Sequence, residues 1–273
     1  MAWRCHFPYG ARGLRGLREA HHEGCRRHRR QLGHRAQHGR GDRAAGSGTV
    51  LTWSSNEQGA KETVREIEQL GGTAVALPLD IAGTAGFPAF REAVAGALRG
   101  TFGRDSFDQL VNNAGFAGSA LIEDTTEQAF DRLTAGLFKG PFFLTQTLLP
   151  LLADGAAIVN VTSNSALPHV TEPGYSVYAS LKGAMTVLTR YMAKEFSARG
   201  IRVNAVAPGA TRTRFADDAF ARHPEIVPEL ARQFALGRIG EPDDIGLAVA
   251  ALVSEEGRWI TGQTIEVSGG HHL

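Results

Sequence analysis

The sequence predicts a single α/β domain built on a doubly wound parallel sheet with helices on both faces, and three features carry that expectation. Short runs rich in valine, isoleucine and alanine recur along the chain, stretches with helical periodicity separate them, and most runs end in a turn bearing glycine, proline, asparagine or serine. Strands buried on both faces read as near-continuous apolar runs, and parallel neighbours need a crossover segment between them. A chain of 273 residues, 42% of them hydrophobic, is long enough to bury one core of this kind.

Taken in order, residues 49–53 read as a strand and 56–70 as a helix. Ala60, Val64, Ile67 and Leu70 share one face of that helix, and Gly71 with Gly72 stops it. A second strand covers 73–77 and closes at Asp80. Helices over about 84–101, 126–152, 174–199 and 241–254 then alternate with apolar runs at 108–112, 157–162, 201–208 and 260–268. Asn112, Ser163 and the pair Pro208 and Gly209 each lie where such a run ends, which is the edge at which open parallel sheets bind ligands.

The net charge of +1 conceals an asymmetry. Residues 1–48 hold eleven arginines against Glu19, Glu23 and Asp42, a local balance of +8, which leaves −7 for the rest. That head carries six of the ten histidines and no valine or isoleucine, so it lacks the residues of a buried strand. The expected division is a basic, disordered or out-of-frame segment over 1–45 and a folded domain over 46–273. Composition of this type is what a GC-rich coding sequence gives when read out of frame. A nucleic-acid arm, an Arg-rich targeting peptide and a metal site using Cys5, His6, His21, His22, Cys25 and His28 are the rivals. They lack, respectively, interleaved aromatics, an amphipathic stripe and paired ligand spacing, so no metal and no nucleic acid is expected. No apolar run reaches the eighteen or so residues of a membrane span, and both cysteines, Cys5 and Cys25, lie in the head; a soluble, cytoplasmic protein is the expectation.

Chemistry is concentrated in residues 175–183, where Tyr178 and Lys182 stand four residues apart on one helix face. A phenol is a poor acid at neutral pH, but a cation about 4 Å away contributes on the order of 4 kcal/mol at an effective dielectric of about 20. That is enough to bring the phenol towards neutrality as a proton donor to a carbonyl oxygen.

Upstream of this pair lie Asn112-Asn113-Ala114-Gly115 and a run ending in Thr162 and Ser163; downstream lie Pro208-Gly209 and a closing segment that ends at Gly270. In that order, over about residues 46–270, these motifs resemble the short-chain dehydrogenase/reductase family and its 3-oxoacyl-ACP reductase-like members. The resemblance implies a Rossmann-like sheet and NADP(H)-dependent interconversion of a carbonyl and an alcohol. It implies Tyr178 as general acid/base, Lys182 as the residue that lowers its pKa and binds the nicotinamide ribose, and a serine that orients the substrate carbonyl. Ser163, at the end of the strand, is favoured for that serine; Ser165 has the more usual spacing from Tyr178 and remains the alternative. Asn112, Ala114 and Gly115 would line the adenine ribose, Asp80 would face the adenine, and Pro208, Gly209, Thr211 and Thr213 would hold the carboxamide. Residues 215–236 would form a loop over the substrate, with Phe215, Phe220 and Phe234 as apolar contacts and Arg212 or Arg214 for anions. Ser54 and Ser55 stand after the strand over 49–53 with no acidic residue to repel a 2′-phosphate, which favours NADP over NAD. Assembly as a homo-oligomer, dimer or tetramer, is a further implication.

Two departures from that resemblance stand out. The apolar first strand and its Thr-Gly-x-x-x-Gly-x-Gly turn are missing or replaced, since neither Gly10, Gly13 and Gly16 nor Gly41, Gly46 and Gly48 follow an apolar run. Leu137 stands where the family usually has an asparagine that anchors a water of the proton relay, and a leucine cannot hydrogen-bond. Two other functions therefore stay open beside the oxidoreductase: a scaffold of this fold that has lost its cofactor, and nucleic-acid binding through the basic head.

Overall fold

In a computed structural model of the chain, residues 48–213 and 215–273 are described. The expectations for residues 1–45, with Cys5 and Cys25, and for Arg214 lie outside the described residues, as does the side chain of Phe215. The apolar runs become six strands: β1 (Gly48–Trp53), β2 (Thr73–Pro78), β3 (Phe107–Asn112), β4 (Leu152–Val161), β5 (Arg202–Pro208) and β6 (Thr264–Val267). All pairings are parallel, β1 with β2 and, in a second group, β3-β4-β5-β6. Among the described residues no strand lies between β1 and β3.

The helices are α1 (Glu57–Gln69), α2 (Phe87–Phe102), α3 (Glu127–Thr134), α4 (Gly140–Leu148), α5 (Ser176–Glu195), α6 (Phe215–Arg222), α7 (Val227–Ala231) and α8 (Pro242–Val253). Their ends follow local chemistry. Asn56 caps α1 by accepting from the Gly59 amide at 2.9 Å. Gly71, at φ 76°, ends α1 with its own amide on the Glu68 carbonyl and the Gly72 amide on that of Ile67, the paired bonds of a Schellman turn. At α8, Glu241 and Asp244 cap each other's backbone amides, and Asp244 is also held by Arg238 at 2.6 Å.

One face of the sheet has a continuous core. Val50 of β1, Phe87, Phe90, Val94 and Leu98 of α2, Leu110 of β3, Leu144 and Leu148 of α4, Ile158 of β4 and Met192 of α5 form a single buried cluster. Burying each such side chain contributes about 1.5–3 kcal/mol, so this face joins the two strand groups. The opposite face is split. Leu51, Ala60, Ile67 and Ala74 form one cluster under α1, and Val111, Val159, Val206, Ile245, Val249 and Leu252 form another under α8. The division falls at the same place as the break in strand order, so one strand followed by one helix would fill both.

The structure changes several expected boundaries. β4 begins at Leu152, five residues before the expected 157, because Phe107 pairs with Leu152 and the register shifts before Gln109 pairs with Ala157. The helix expected over 126–152 is α3, a π-helical turn at Ala135–Lys139, α4 and a last short turn at Leu149–Leu151. A Cβ on Gly140 would overlap the Ile81 carbonyl oxygen, which shows how closely α4 approaches the loop after β2. The expected last strand over 260–268 shortens to β6.

Candidate active site

α5 builds the site. Met185 and Met192 bury its inner face against the sheet, and one and two turns nearer its N-terminus the same face carries Lys182 and Tyr178, 6% and 8% exposed. The Lys182 Nζ donates to the Val161 carbonyl at 2.8 Å and lies 5.7 Å from the centre of the Tyr178 ring. The phenol and the ammonium therefore share one buried face of α5, with the ammonium at the carboxyl end of β4. Burial lowers the Lys182 ammonium from 10.5 to about 8, so it is charged at neutral pH and loses that charge as pH rises through about 8.

The turn after β3 closes over the lysine. A Cβ on Gly115 would lie 3.2 Å from Leu137 Cδ2 and 3.9 Å from Lys182 Nζ, so glycine permits this approach. Leu137, 1% exposed in the π-helical turn, packs with Leu133, Tyr178 and Phe116. The position thus presents hydrocarbon, and no hydrogen-bonding group, towards the tyrosine and lysine.

Both candidate serines are in the site and touch each other. After Val161, Thr162 extends the pairing with the Val206 carbonyl, and Ser163 caps the short turn Asn164–Ala166. The Ser163 Oγ accepts from the Ser165 amide at 3.2 Å and from the Ser165 hydroxyl at 2.9 Å. With two donors directed at its oxygen, the Ser163 proton remains available to a substrate oxygen.

The other predicted residues are distributed unevenly. Asn112 is buried, and its amide donates to Thr145 Oγ1 at 3.0 Å and Asn160 Oδ1 at 2.8 Å, so its donors tie β3 to α4 and β4. Ala114 and Asn113 line a cleft with Thr52, Ile81 and Pro141 that opens between the ends of β1 and β3. Ser54 and Ser55 follow β1 and are exposed. Asp80 is exposed and accepts from the Ala82 amide at 2.9 Å, a strand-end cap. Pro208 ends β5; Gly209 packs against Ser268, where a Cβ would come within 3.0 Å. Thr211 donates to the Gly209 carbonyl at 2.9 Å, and Thr213 is half-buried beyond it. Arg212 pairs with Glu241 at 3.1 Å on the surface, and Phe234 is buried under His271, which takes both away from the expected substrate contacts. Phe220 is half-buried on α6.

Sequence reasoning missed the buried group around His271. This side chain, 4% exposed, meets Asn164 Nδ2 at 2.9 Å through Nδ1 and Gln233 Oε1 at 3.3 Å through Nε2. Only the adjacent pair His271 and His272, just before Leu273, signalled it.

The site is thus set at the carboxyl edge of a parallel sheet: Lys182 is held on the last carbonyl of β4, Tyr178 lies one turn before it on α5, and Ser163 and Ser165 stand on the turn that follows β4. The family model described as enoyl-(acyl carrier protein) reductase matches residues 42–272. An uncharacterized oxidoreductase of Methylorubrum extorquens is 36% identical over 82% of this chain and 88% of its own length, and the 3-oxoacyl-[acyl-carrier-protein] reductase FabG of Staphylococcus aureus is 33% identical over 84% and 89%. Among solved structures, LugOII, a promiscuous reductase that catalyses keto-reduction at C1 in lugdunomycin biosynthesis, superposes with a TM-score of 0.82 at 31% identity, covering 100% of this chain and 97% of that one. The angucycline C-6 ketoreductase LanV with bound NADP gives 0.80 at 28% identity, covering 100% and 96%. The chain belongs to the short-chain dehydrogenase/reductase family of NAD(P)-dependent oxidoreductases.

Proposed function

We propose that this chain reduces a small-molecule carbonyl to an alcohol, and catalyses the reverse, with NADP(H), using Tyr178 as the general acid/base. The single observation that carries the reading is the buried pair of Tyr178 and Lys182, set beside two serines at the end of β4. NADPH supplies the hydride when bound. Ser163, its oxygen already receiving two hydrogen bonds from Ser165, donates a hydrogen bond to the substrate oxygen, keeping its proton, and holds that oxygen near the phenol. Tyr178 delivers the proton, and the Lys182 cation favours the phenolate that is left.

Fit to the cofactor is uneven along the site. Gly115 gives room beside Lys182, Pro208 and Gly209 bring backbone to the carboxyl end of β5, and Ala114 lines the cleft by β1, so these residues would hold the nicotinamide and adenine-ribose ends. Ser54 and Ser55 leave the end of β1 free of negative charge, as a 2′-phosphate requires, and Asp80 would face the adenine. Asn112, Thr211 and Thr213 complete the cofactor residues as supports of these turns. The described residues include no glycine-rich turn for the pyrophosphate.

Self-association follows from the exposed apolar residues. Phe142 and Phe143 of α4, Val187 and Tyr191 of α5, Leu247 of α8, Trp259, and Ile265 of β6 are exposed and would be covered between copies of the chain. A tetramer in the cytoplasm, where such a reductase would meet NADPH, is the assembly and place this reading gives. No helix among the described residues is long and apolar enough to cross a membrane.

NADPH oxidation measured against a panel of ketones, for the full chain and for Tyr178→Phe, tests the reading. Loss of at least a hundredfold in turnover is expected from removing the phenolic proton beside Lys182. Retention of more than a tenth of wild-type turnover would remove Tyr178 from this role.

A further inference from the structure

His271 lies outside the groups just assigned and yet touches the segments on two sides of the substrate position. Its backbone amide donates to Ser268 Oγ at 3.3 Å, and its ring stacks on Phe234 with centroids 4.4 Å apart and planes 16° apart. The strand-like pairing of Phe234 with His271 is extended by the Ala235 amide on the Gly270 carbonyl and the His272 amide on the Gln233 carbonyl, both at 3.0 Å. The C-terminal segment is thereby fastened to residues 233–236, which close the loop between β5 and α8.

The ring reaches the other side. An amide nitrogen can only donate, so the 2.9 Å contact from Asn164 Nδ2 makes Nδ1 of His271 an acceptor. The proton of the neutral ring is then on Nε2, where it faces the Gln233 oxygen at 3.3 Å. One tautomer satisfies both bonds, and the doubly protonated ring satisfies only one. Asn164 sits between Ser163 and Ser165, and its own carbonyl accepts from the Leu167 amide at 2.8 Å, so holding its side chain holds the turn that carries both hydroxyls.

We infer that His271 is a positioning residue that locks the Ser163–Ser165 turn to the substrate loop at Gln233, and that it releases the two from each other when its ring is protonated. Its meaning for turnover rests on the reductase reading; the lock itself does not. The charged and titratable groups around the ring are His272, its ring tilted by 30° at 4.0 Å, Glu172 of the loop before α5, Glu266 of β6, and His169, which pairs with Glu266 at 3.2 Å. Burial, followed by His272, lowers the ring below 6.5, while Glu172 and Glu266 oppose the shift. A lowered value means that the lock is whole above 6.5 and is lost as pH falls below it.

Hydrogen–deuterium exchange of the full chain tests the lock without requiring turnover. In His271→Ala, exchange should rise about tenfold in residues 163–170 and 232–236 together, the loss of one hydrogen bond to each. His271→Asn places an acceptor oxygen near the position of Nδ1, so it should restore 163–170 and leave 232–236 fast. Acidifying the wild type to well below 6.5 should speed both segments, and acidifying His271→Asn over the same range should leave 163–170 slow. Unchanged exchange in 163–170 in the alanine variant, or an increase confined to 232–236, overturns the proposal. In the turnover arm, His271→Ala should lower kcat about tenfold with the KM for NADPH unchanged. A wild-type chain that reduces no carbonyl removes the reductase reading, and the exchange result then decides the lock by itself.

Discussion

The two strand groups of this protein differ in what they complete. The four strands β3 to β6 carry at their edge the turn with Ser163 and Ser165 and the Val161 carbonyl that holds Lys182, and their core is closed on both faces by α2, α4, α5 and α8. The pair β1 and β2 shares that core on one face only; on the other, the cluster under α1 stands apart from the one under α8. In the proposed function, proton transfer falls to the larger group, and recognition of the cofactor's phosphates falls to the junction between the two. Proton transfer and cofactor affinity are therefore separable in this chain, and each can be altered alone.

The largest effect is expected at the junction. Replacing residues 1–45 with an apolar strand followed by Thr-Gly-x-x-x-Gly-x-Gly should raise NADPH affinity by two orders of magnitude or more, because a strand between β1 and β3 would join the ladders and its turn would present amides to the pyrophosphate. Calorimetric titration of both chains with NADPH measures this. Micromolar binding by the unmodified chain would show that its arginine-rich head already builds a phosphate site, and would remove the out-of-frame origin of that head.

Within the larger group, Lys182→Met should separate function from stability. The native state holds the ammonium at about 8 against 10.5, a cost of roughly 3 kcal/mol for a fully buried charge. Because the folded value is the lower one, stability is full above 10.5, declines as pH falls towards 8, and stays reduced below that. At neutral pH the methionine variant should therefore melt at a higher temperature while losing most of its turnover. A lower melting temperature would mean that the bond to Val161 outweighs the desolvation.

Ser163→Ala should cost more turnover than Ser165→Ala, by analogy with the loss of an oxyanion donor worth about 3 kcal/mol. In the alanine variant at 165, Ser163 keeps its proton and loses only a supporting bond. The reverse order in a kinetic comparison would move the substrate contact to Ser165.

The smallest effect is expected at Leu137. An asparagine there would offer the lysine a hydrogen-bonding neighbour in place of hydrocarbon, raise turnover a few-fold, and cost about 1–2 kcal/mol for burying an amide. Steady-state rates and urea unfolding of Leu137→Asn check both signs; unchanged turnover would place proton supply on another path.

Periodicity determined the order of the six strands and of the helices other than α6 and α7, because a buried parallel strand and an amphipathic helix leave different spacings of apolar residues; those two helices form within residues 215–236, which read as a loop. The pairing of Tyr178 with Lys182 was equally legible, since both lie on one helix and four residues bring them to the same side. What only the tertiary structure decided involves residues far apart in the chain. The bulge at Gln109 that starts β4 early, and the burial that lowers Lys182 to about 8, depend on neighbours that spacing does not encode. The same holds for Arg212 and Phe234: in sequence they stand before and within the expected substrate loop, but Glu241 and His271 claim them. His271 is the clearest instance. It meets Asn164, 107 positions away, only because β4 and β6 end on the same edge of one sheet, and an interaction created by that convergence leaves no local pattern to read.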